Sequence, residues 1–374
     1  MRIAIDATIL SNENTGTGFY IINLIKGLGK IENKNLQYYI FVKKDLVPDV
    51  VDIAGDNFHI IDIDFKPRFL RVIWQFLFFP FTLRRLRIDV LHSPNYITPL
   101  YSLGFKIIVT IHDLTFCLMP EKYTITKRLF YKLLVPVFIK IADKVISVSE
   151  NTKKDMIKLF KVPENKIYVT YESYPEYYTK PGRGEKSDEV LNKFGIKKNF
   201  ILFVGMIEPR KNVLSLLKAF YLVDDYIDLD LVVVGKKGWY YSDVEEFMEI
   251  IKGESLNNKI FFTGYVSEPE LKYFYQSAYI FAYPSYYEGF GLPPLQAMAC
   301  SIPVITSDVS SLPEVVGEAA IKIDPSNIQD MADAIKDIYR NSDLRNKLKA
   351  AGAVQALKFS LENFALNTIK AYES

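Results

Sequence analysis

The chain has 374 residues, a net charge of +2 and 49% hydrophobic residues. That length supports two ordinary domains with sizeable cores, and the composition excludes a disordered chain. Only two cysteines occur, Cys117 and Cys300, far apart and without ligand spacing, which excludes a disulfide framework or structural zinc and points to a reducing compartment.

The N-terminus runs straight into Arg2-Ile3-Ala4-Ile5-Asp6, a strand pattern and not a signal peptide, so a cytoplasmic location is expected. Short β-branched runs then alternate with helical periods along the whole chain. In the first half they predict strands at Ile3–Thr8, Tyr38–Val42, His59–Ile63, Val90–Ser93, Lys106–Ile111, Lys144–Val148 and Ile167–Thr170. In the second half they predict Ile201–Ile207, Leu231–Val234, Ile260–Thr263, Tyr279–Tyr283, Val304–Ser307 and Ile321–Ile323. Helical periods fill the gaps, as at Ile21–Gly29, Val213–Tyr221 and Met331–Tyr339. Two such series predict an α/β chain of two doubly wound, Rossmann-like domains, with ligands at the carboxyl ends of the strands and a cleft where the domains face one another. The polar stretch Thr179–Glu189 is the expected seam, giving domains 1–182 and 190–356 and a terminal segment 357–374.

Charge is divided unevenly. Residues 1–180 hold 25 Lys and Arg against 18 Asp and Glu. A basic first half suits an anionic ligand or surface. The segment Phe69–Leu86 is greasy but broken by Arg71, Gln75, Pro80 and Arg84, so it does not span a membrane. It fits either an interfacial helix on an anionic membrane or a core helix with a basic outer face.

Four places carry chemistry. The first strand leads into Gly16-Thr17-Gly18 before a helix, where backbone N–H groups can meet a phosphate; Ile21 stands where a dinucleotide fingerprint needs its third glycine, which excludes that fingerprint. Strands also end at His92, beside Asn95 and Tyr96, and at His112-Asp113; His112 is placed to orient or deprotonate an acceptor hydroxyl. The second half opens with a strand ending at Gly205, followed by Arg210 and Lys211, adjacent cations suited to a diphosphate. Finally, Glu288-Gly289-Phe290-Gly291-Leu292 precedes a helix opened by Pro293 and Pro294, with Gln296 one turn in. A carboxylate, a phosphate-sized nest and an amide there suit a nucleotide-sugar. Asp62/Asp64 is read as the polar face of a strand and Asp228/Asp230 as lying at the amino edge of one, so neither is read as a metal site, and no nucleic-acid motif is present.

These residues resemble glycosyltransferase family 4, retaining enzymes of two Rossmann-like domains. The motifs that carry the resemblance are Gly16–Gly18, Leu91-His-Ser-Pro-Asn-Tyr96, Ile111-His-Asp-Leu-Thr115, Ile146-Ser-Val-Ser-Glu150, Gly205-x-x-Glu-Pro-Arg-Lys-Asn212, Gly264-Tyr-Val-Ser267, Glu288–Leu295 and Ser310-Ser-Leu-Pro-Glu-Val315. They are similar to those of mannosyltransferases of surface-polysaccharide assembly. The resemblance implies that the second domain binds the nucleotide-sugar and the first the acceptor. Arg210 and Lys211 would hold the diphosphate with help from backbone at Gly16 and Gly18. Glu288 and the amides after it would hold sugar hydroxyls and the distal phosphate, and Gly264–Tyr265 would border the base. His112 would lie at the reacting centre, with His92, Asn95, Tyr96 and Asp113 on the acceptor side. No metal or other cofactor is implied, and the last helix, Leu361–Tyr372, would cross back to the first domain.

The chain departs from the family at Gln296, where relatives carry a second glutamate that bonds the ribose; losing its charge is worth about 1 kcal/mol of donor affinity. Ser301 stands where relatives often have glycine, and Tyr171-Glu-Ser173 where they usually show Asn-Gly; neither carries a catalytic expectation. The expected activity is hexose transfer, mannose from GDP-mannose, to a saccharide or lipid-linked saccharide, in the cytoplasm or at the inner membrane face. Rival readings are a nucleotide-sugar epimerase of the same architecture and a non-catalytic scaffold that keeps the fold.

Overall fold

The computed structural model describes residues 1–11, 16–64, 68–120, 125–179, 184–197, 199–238 and 241–374. The chain forms two compact units, Met1–Ser173 with Phe359–Ser374, and Tyr174–Lys358.

The first unit is built on a seven-stranded parallel sheet of β1 (Arg2–Asp6), β2 (Gln37–Lys43), β3 (Phe58–Ile63), β4 (Val90–Ser93), β5 (Lys106–Ile111), β6 (Lys144–Ser147) and β7 (Ile167–Val169), in the order β3-β2-β1-β4-β5-β6-β7. The second has β8 (Phe200–Val204), β9 (Asp230–Val234), β10 (Ile260–Gly264), β11 (Ile280–Tyr283), β12 (Val304–Ser307) and β13 (Ala320–Ile323), in the order β10-β9-β8-β11-β12-β13. Every strand pair is parallel. The strands are legible as apolar runs because a sheet covered on both faces needs no polar alternation. In each sheet the order reverses once, between β1 and β4 and between β8 and β11. Doubly wound sheets open a ligand crevice at that point.

All thirteen expected strands are present. Ile201–Ile207 stops early, at Val204, because the chain turns at Gly205; Ile207 keeps only an isolated bridge to Lys237. Gly235, at the end of β9, has φ +151°, and a Cβ there would lie 1.9 Å from the Gly205 carbonyl oxygen. Only glycine lets the loops after β8 and β9 pack this closely.

The change of unit comes after Ser173, ahead of the polar stretch Thr179–Glu189, whose residues 180–183 lie outside the described ones. Tyr178 is the physical reason. It is fully buried, donates to Glu268 (2.8 Å) and packs edge-on against Tyr275, so the chain is in the second core before it turns polar.

The last helix, Leu361–Glu373, belongs to the first unit. It is capped by Ser360, whose side chain accepts from the Asn363 N–H, and it lies against the helix Gly16–Gly29. A Cβ on Gly27 would sit 2.6 Å from the Leu361 carbonyl oxygen, so glycine sets how closely the two helices approach.

Phe69–Leu86 resolves into two helices, Arg68–Leu77 and Phe79–Arg85. Pro80 starts the second, since it cannot donate within the first. The segment is core and surface at once. Phe79 and Leu83 are fully buried, while Leu70, Ile73, Leu77, Phe78 and Phe81 are exposed. Among the described residues no helix is long and apolar enough to cross a membrane.

In the second unit, the helix Leu292–Ala299 ends in a tight double cap: the Ile302 N–H bonds the Ala297 carbonyl and the Ser301 N–H the Met298 carbonyl. This cap puts Ser301 at φ +56°, the left-handed region that glycine enters freely. Ser301→Gly should therefore raise stability by roughly 1 kcal/mol, measured as unfolding free energy in denaturant. An unchanged or lowered value would mean that the serine side chain contributes more than its backbone strain costs.

Candidate active site

In the second unit the reversal between β8 and β11 brings two loops together. The chain leaves β8 through Gly205, makes a tight turn at Pro209–Lys211 and enters the helix Val213–Val223 through Asn212 at φ +58°. Asparagine tolerates that conformation, and its side chain fixes the turn by donating to the Pro325 carbonyl at 2.7 Å. From β11 the chain runs through Ser285 to Glu288. The loops are joined through backbone, with the Tyr286 N–H donating to the Arg210 carbonyl, and the Ser285 hydroxyl oxygen lies 3.1 Å from the same carbonyl.

Arg210, Lys211 and Glu288 meet here, and Glu208 completes a cluster of two cations and two carboxylates. Arg210 pairs with Glu208 at 2.7 Å and with Glu288 Oε2 at 2.9 Å, and donates to the Tyr287 carbonyl at 2.7 Å. Lys211 Nζ donates to Glu288 Oε1 at 2.7 Å and to the Tyr283 hydroxyl. Glu288 Oε1 also accepts from Ser285 (2.6 Å) and Tyr283 (3.1 Å). Burial pushes the Glu288 carboxyl up, but Arg210 and Lys211 outweigh it and bring the pKa down to about 2. Burial lowers the Lys211 pKa, with Glu288 pulling the other way.

The Glu288 loop is held from behind by the turn after β12. The Ser310 hydroxyl accepts from the Glu288 N–H at 2.9 Å, and the one hydroxyl hydrogen of Ser311 lies between the carbonyls of Glu288 and Phe290. Phe290 is buried and Gly289 half-buried. Gly291, at φ +123°, turns the chain so that Leu292, Pro293 and Pro294 open the helix. Gln296 is buried, and its Oε1 accepts from the Tyr275 hydroxyl at 3.0 Å, so the side chain expected to lean over the helix start is already engaged within the unit. Two strands away, Gly264 is left-handed at φ +69°, and the exposed Tyr265 ring lies 4.7 Å from Lys236 Nζ.

In the first unit, Gly16 and Gly18 do not precede the helix but form its first turn; Gly16 is exposed and Gly18 buried. His92 differs more from expectation. It is wholly buried, with Nδ1 2.7 Å from the Tyr372 hydroxyl and Nε2 2.8 Å from Thr110 Oγ1. Burial drives its pKa down to about 3. It is therefore a neutral core histidine tying β4 to the last helix, with no face for an acceptor. Asn95, also buried, uses its side-chain oxygen on the Ile97 N–H at 2.7 Å. Tyr96 donates to the Asp113 carbonyl at 3.0 Å, and the Asp113 carboxylate caps Thr115 through its N–H at 2.9 Å and its hydroxyl at 2.6 Å.

His112 sits at the end of β5 with both ring nitrogens engaged, Nδ1 3.2 Å from Glu172 Oε1 and Nε2 2.9 Å from the Pro94 carbonyl. Both ring nitrogens thus face acceptor atoms of the protein. Burial works against its charge, but the Glu172 hydrogen bond and charge lead a set of neighbours that raise the pKa above its ordinary value. Asp62 and Asp64 are exposed on and just after β3, Asp230 is buried in β9, and among the described residues no three His, Cys, Asp or Glu side chains cluster as metal ligands.

Comparison with known proteins follows the two units. A family model described as Glycosyl transferases group 1 matches residues 186–355, and one described as Glycosyltransferase Family 4 matches residues 15–173. The O-antigen chain mannosyltransferase B of Escherichia coli is 31% identical over 294 residues, covering 78% of this chain and 76% of that protein. The chain belongs to glycosyltransferase family 4. A second relative, the serotype-specific mannosyltransferase WbdA of Escherichia coli, is 27% identical over 287 residues; these are 75% of this chain but only 35% of that longer protein. Among solved structures, Anabaena HepE in complex with UDP-glucose shares the fold with a TM-score of 0.74 at 16% identity, covering 99% of this chain and 98% of that one.

In this family-4 glycosyltransferase, Glu208, Tyr283, Ser285 and Glu172 are the site residues that motif reading passed over. Glu208 lay inside a quoted motif, and two cations beside a buried turn were a signal that it would be needed. Glu172 stood out only within a departure from the family, and its contact with His112, 60 residues away, was not legible.

Removing Glu288 leaves two buried cations with one carboxylate. Glu288→Ala should lose roughly 3–5 kcal/mol of stability, read from denaturant unfolding. The pH dependence has a fixed sign. The folded carboxyl lies at about 2 against an ordinary 4.5, so its contribution is complete above the ordinary value and disappears as pH falls toward 2. The variant should lack that acid-dependent component, and an acid profile like the wild type would exclude the assignment.

Proposed function

We propose that the enzyme transfers a hexose, specifically mannose from GDP-mannose, to a saccharide or lipid-linked saccharide acceptor in surface-glycan assembly. The observation that carries this reading is the cluster of Arg210, Lys211 and Glu288 at the strand-order reversal, where doubly wound units take their ligands. Mannose is favoured because the two relatives above are named mannosyltransferases.

The diphosphate takes its positive charge from Arg210 and Lys211, already held in place by the carboxylates. Lys211 has three donor hydrogens; Tyr283 and Glu288 take two, and no described residue takes the third. The N–H groups opening the helix Leu292–Ala299 add donors for the distal phosphate. In the transfer, the acceptor oxygen bonds to the anomeric carbon on the face the diphosphate leaves. The carbon–oxygen bond to the diphosphate breaks with its electron pair, and the hydroxyl proton passes to the departing phosphate oxygen. The reading needs no metal.

A thermal-shift series with GDP-, UDP- and ADP-sugars tests the donor. GDP-mannose should give the largest rise in melting temperature, since a ligand of the native state stabilises it. Lys211→Ala should reduce turnover by orders of magnitude; near-normal turnover removes the diphosphate role. Product formation without any acceptor would favour an epimerase.

A lipid-linked acceptor fits a second observation. The helix Ile125–Ile141 exposes Ile125, Leu129, Leu133 and Val137, one every fourth residue, so they form one stripe. It lies beside Arg68–Leu77, with the Phe76 and Phe138 rings 5.8 Å apart. These two helices and Phe79–Arg85 contain no acidic residue, and they carry Arg84, Arg85, Arg128, Lys132 and Lys140. An apolar stripe edged only by cations suits an anionic bilayer surface. Leu129→Glu with Leu133→Glu should cut sedimentation with phosphatidylglycerol vesicles at least fivefold and leave the donor-induced thermal shift unchanged. Undiminished sedimentation would exclude this face.

A further inference from the structure

The structure gives Glu172 a use that the sequence did not show. Glu172 is buried at the end of the first unit's main segment, and its carboxylate meets His112 Nδ1 at 3.2 Å. On the other side of the ring, the Pro94 carbonyl meets Nε2 at 2.9 Å. Both partners are acceptors. A neutral imidazole has one N–H and one lone pair, so in either tautomer a lone pair would face an acceptor. Only the doubly protonated ring satisfies both contacts.

The remaining neighbours agree. The Tyr20 ring stands edge-on, 4.9 Å between centroids and 88° between planes, and its hydroxyl is turned to Thr110 at 3.1 Å. The Asp113 carboxylate is committed to Thr115 but adds negative charge nearby. His92 is neutral in its own pocket and adds no competing cation. Burial opposes the charge on His112, yet these groups together leave its pKa above the ordinary value.

We propose that Glu172 is a positioning residue that, with the Pro94 carbonyl, holds His112 as a fixed imidazolium throughout the transfer. This rests on the glycosyl-transfer reading and deepens it. His112 then takes no proton from the acceptor hydroxyl, whose proton leaves with the diphosphate. It keeps a positive ring at the carboxyl edge of β5, and losing that charge disarranges both contacts.

Two measurements decide the matter. In protein labelled with ¹⁵N-histidine only three residues report, His59, His92 and His112, and His59→Gln and His112→Gln assign them. At pH 7 both nitrogens of His112 should resonate as N–H, while His92 shows one N–H and one bare nitrogen. A bare nitrogen on His112 overturns the proposal. In the pH profile of kcat, a base gives a rate that climbs as the ring loses its proton; a fixed imidazolium gives a rate that falls. Glu172→Gln should move the falling limb at least one unit to lower pH, with the KM for donor within twofold of wild type, and Glu172→Asp should restore most of the shift. A rising limb, or a limb that Glu172→Gln leaves in place while only lowering the melting temperature, also overturns it. Should no nucleotide-sugar be turned over, the donor assignment fails, and the nitrogen spectra still decide the state of His112.

Discussion

Two positive and two negative side chains, nearly out of water, occupy the point where the second sheet reverses its order. None of the four is tolerable there alone, because an unpaired buried charge is costly while a compensated set is held. Arg210 bridges Glu208 and Glu288, and Lys211 completes the set from the adjacent position. The cluster therefore adds to the backbone bond from Tyr286 to the Arg210 carbonyl in fixing the loop after β8 to the loop after β11. The surrounding features serve it. Ser285 and Tyr283 point hydroxyls at Glu288, Ser310 and Ser311 hold the loop from the turn after β12, and Asn212 ends the cationic turn. Cations arranged in advance bind an anion without first having to be ordered.

The first unit shows how far environment and not residue type sets chemistry. His92 and His112 end neighbouring strands, β4 and β5. One is enclosed with hydroxyl partners and its pKa is driven down; the other has a carboxylate and a carbonyl, and its pKa is raised above the ordinary value. Both look alike in the sequence, as histidines closing apolar runs.

Much of the architecture was legible, since strands covered on both faces are written as β-branched runs. Val90–Ser93, Lys106–Ile111 and Val304–Ser307 match to the residue. Arg210, Lys211 and Glu288 were legible as a group because their motifs follow strand ends, and strand ends converge. What each side chain bonds was not. The burial of His92 depends on Tyr372, 280 residues away, and no local pattern carries that information. The engagement of Gln296 by Tyr275 is hidden in the same way. The boundary between units was misplaced because Tyr178 belongs to a core although its flanks are polar. The serine at position 301 was visible only as an oddity; its reason is a backbone angle, which composition does not express.

The last helix leaves a mark on how the protein is made. Residues up to Ser173 emerge from the ribosome first and can pair all seven strands of their sheet at once. Yet the hydroxyl that His92 needs belongs to Tyr372, and the groove along Gly27 waits for Leu361. The unit that is synthesised first is thus completed last, after the whole of its neighbour has been translated. Until then the first unit carries an open seam along the helix Gly16–Gly29, which the helix Leu361–Glu373 closes.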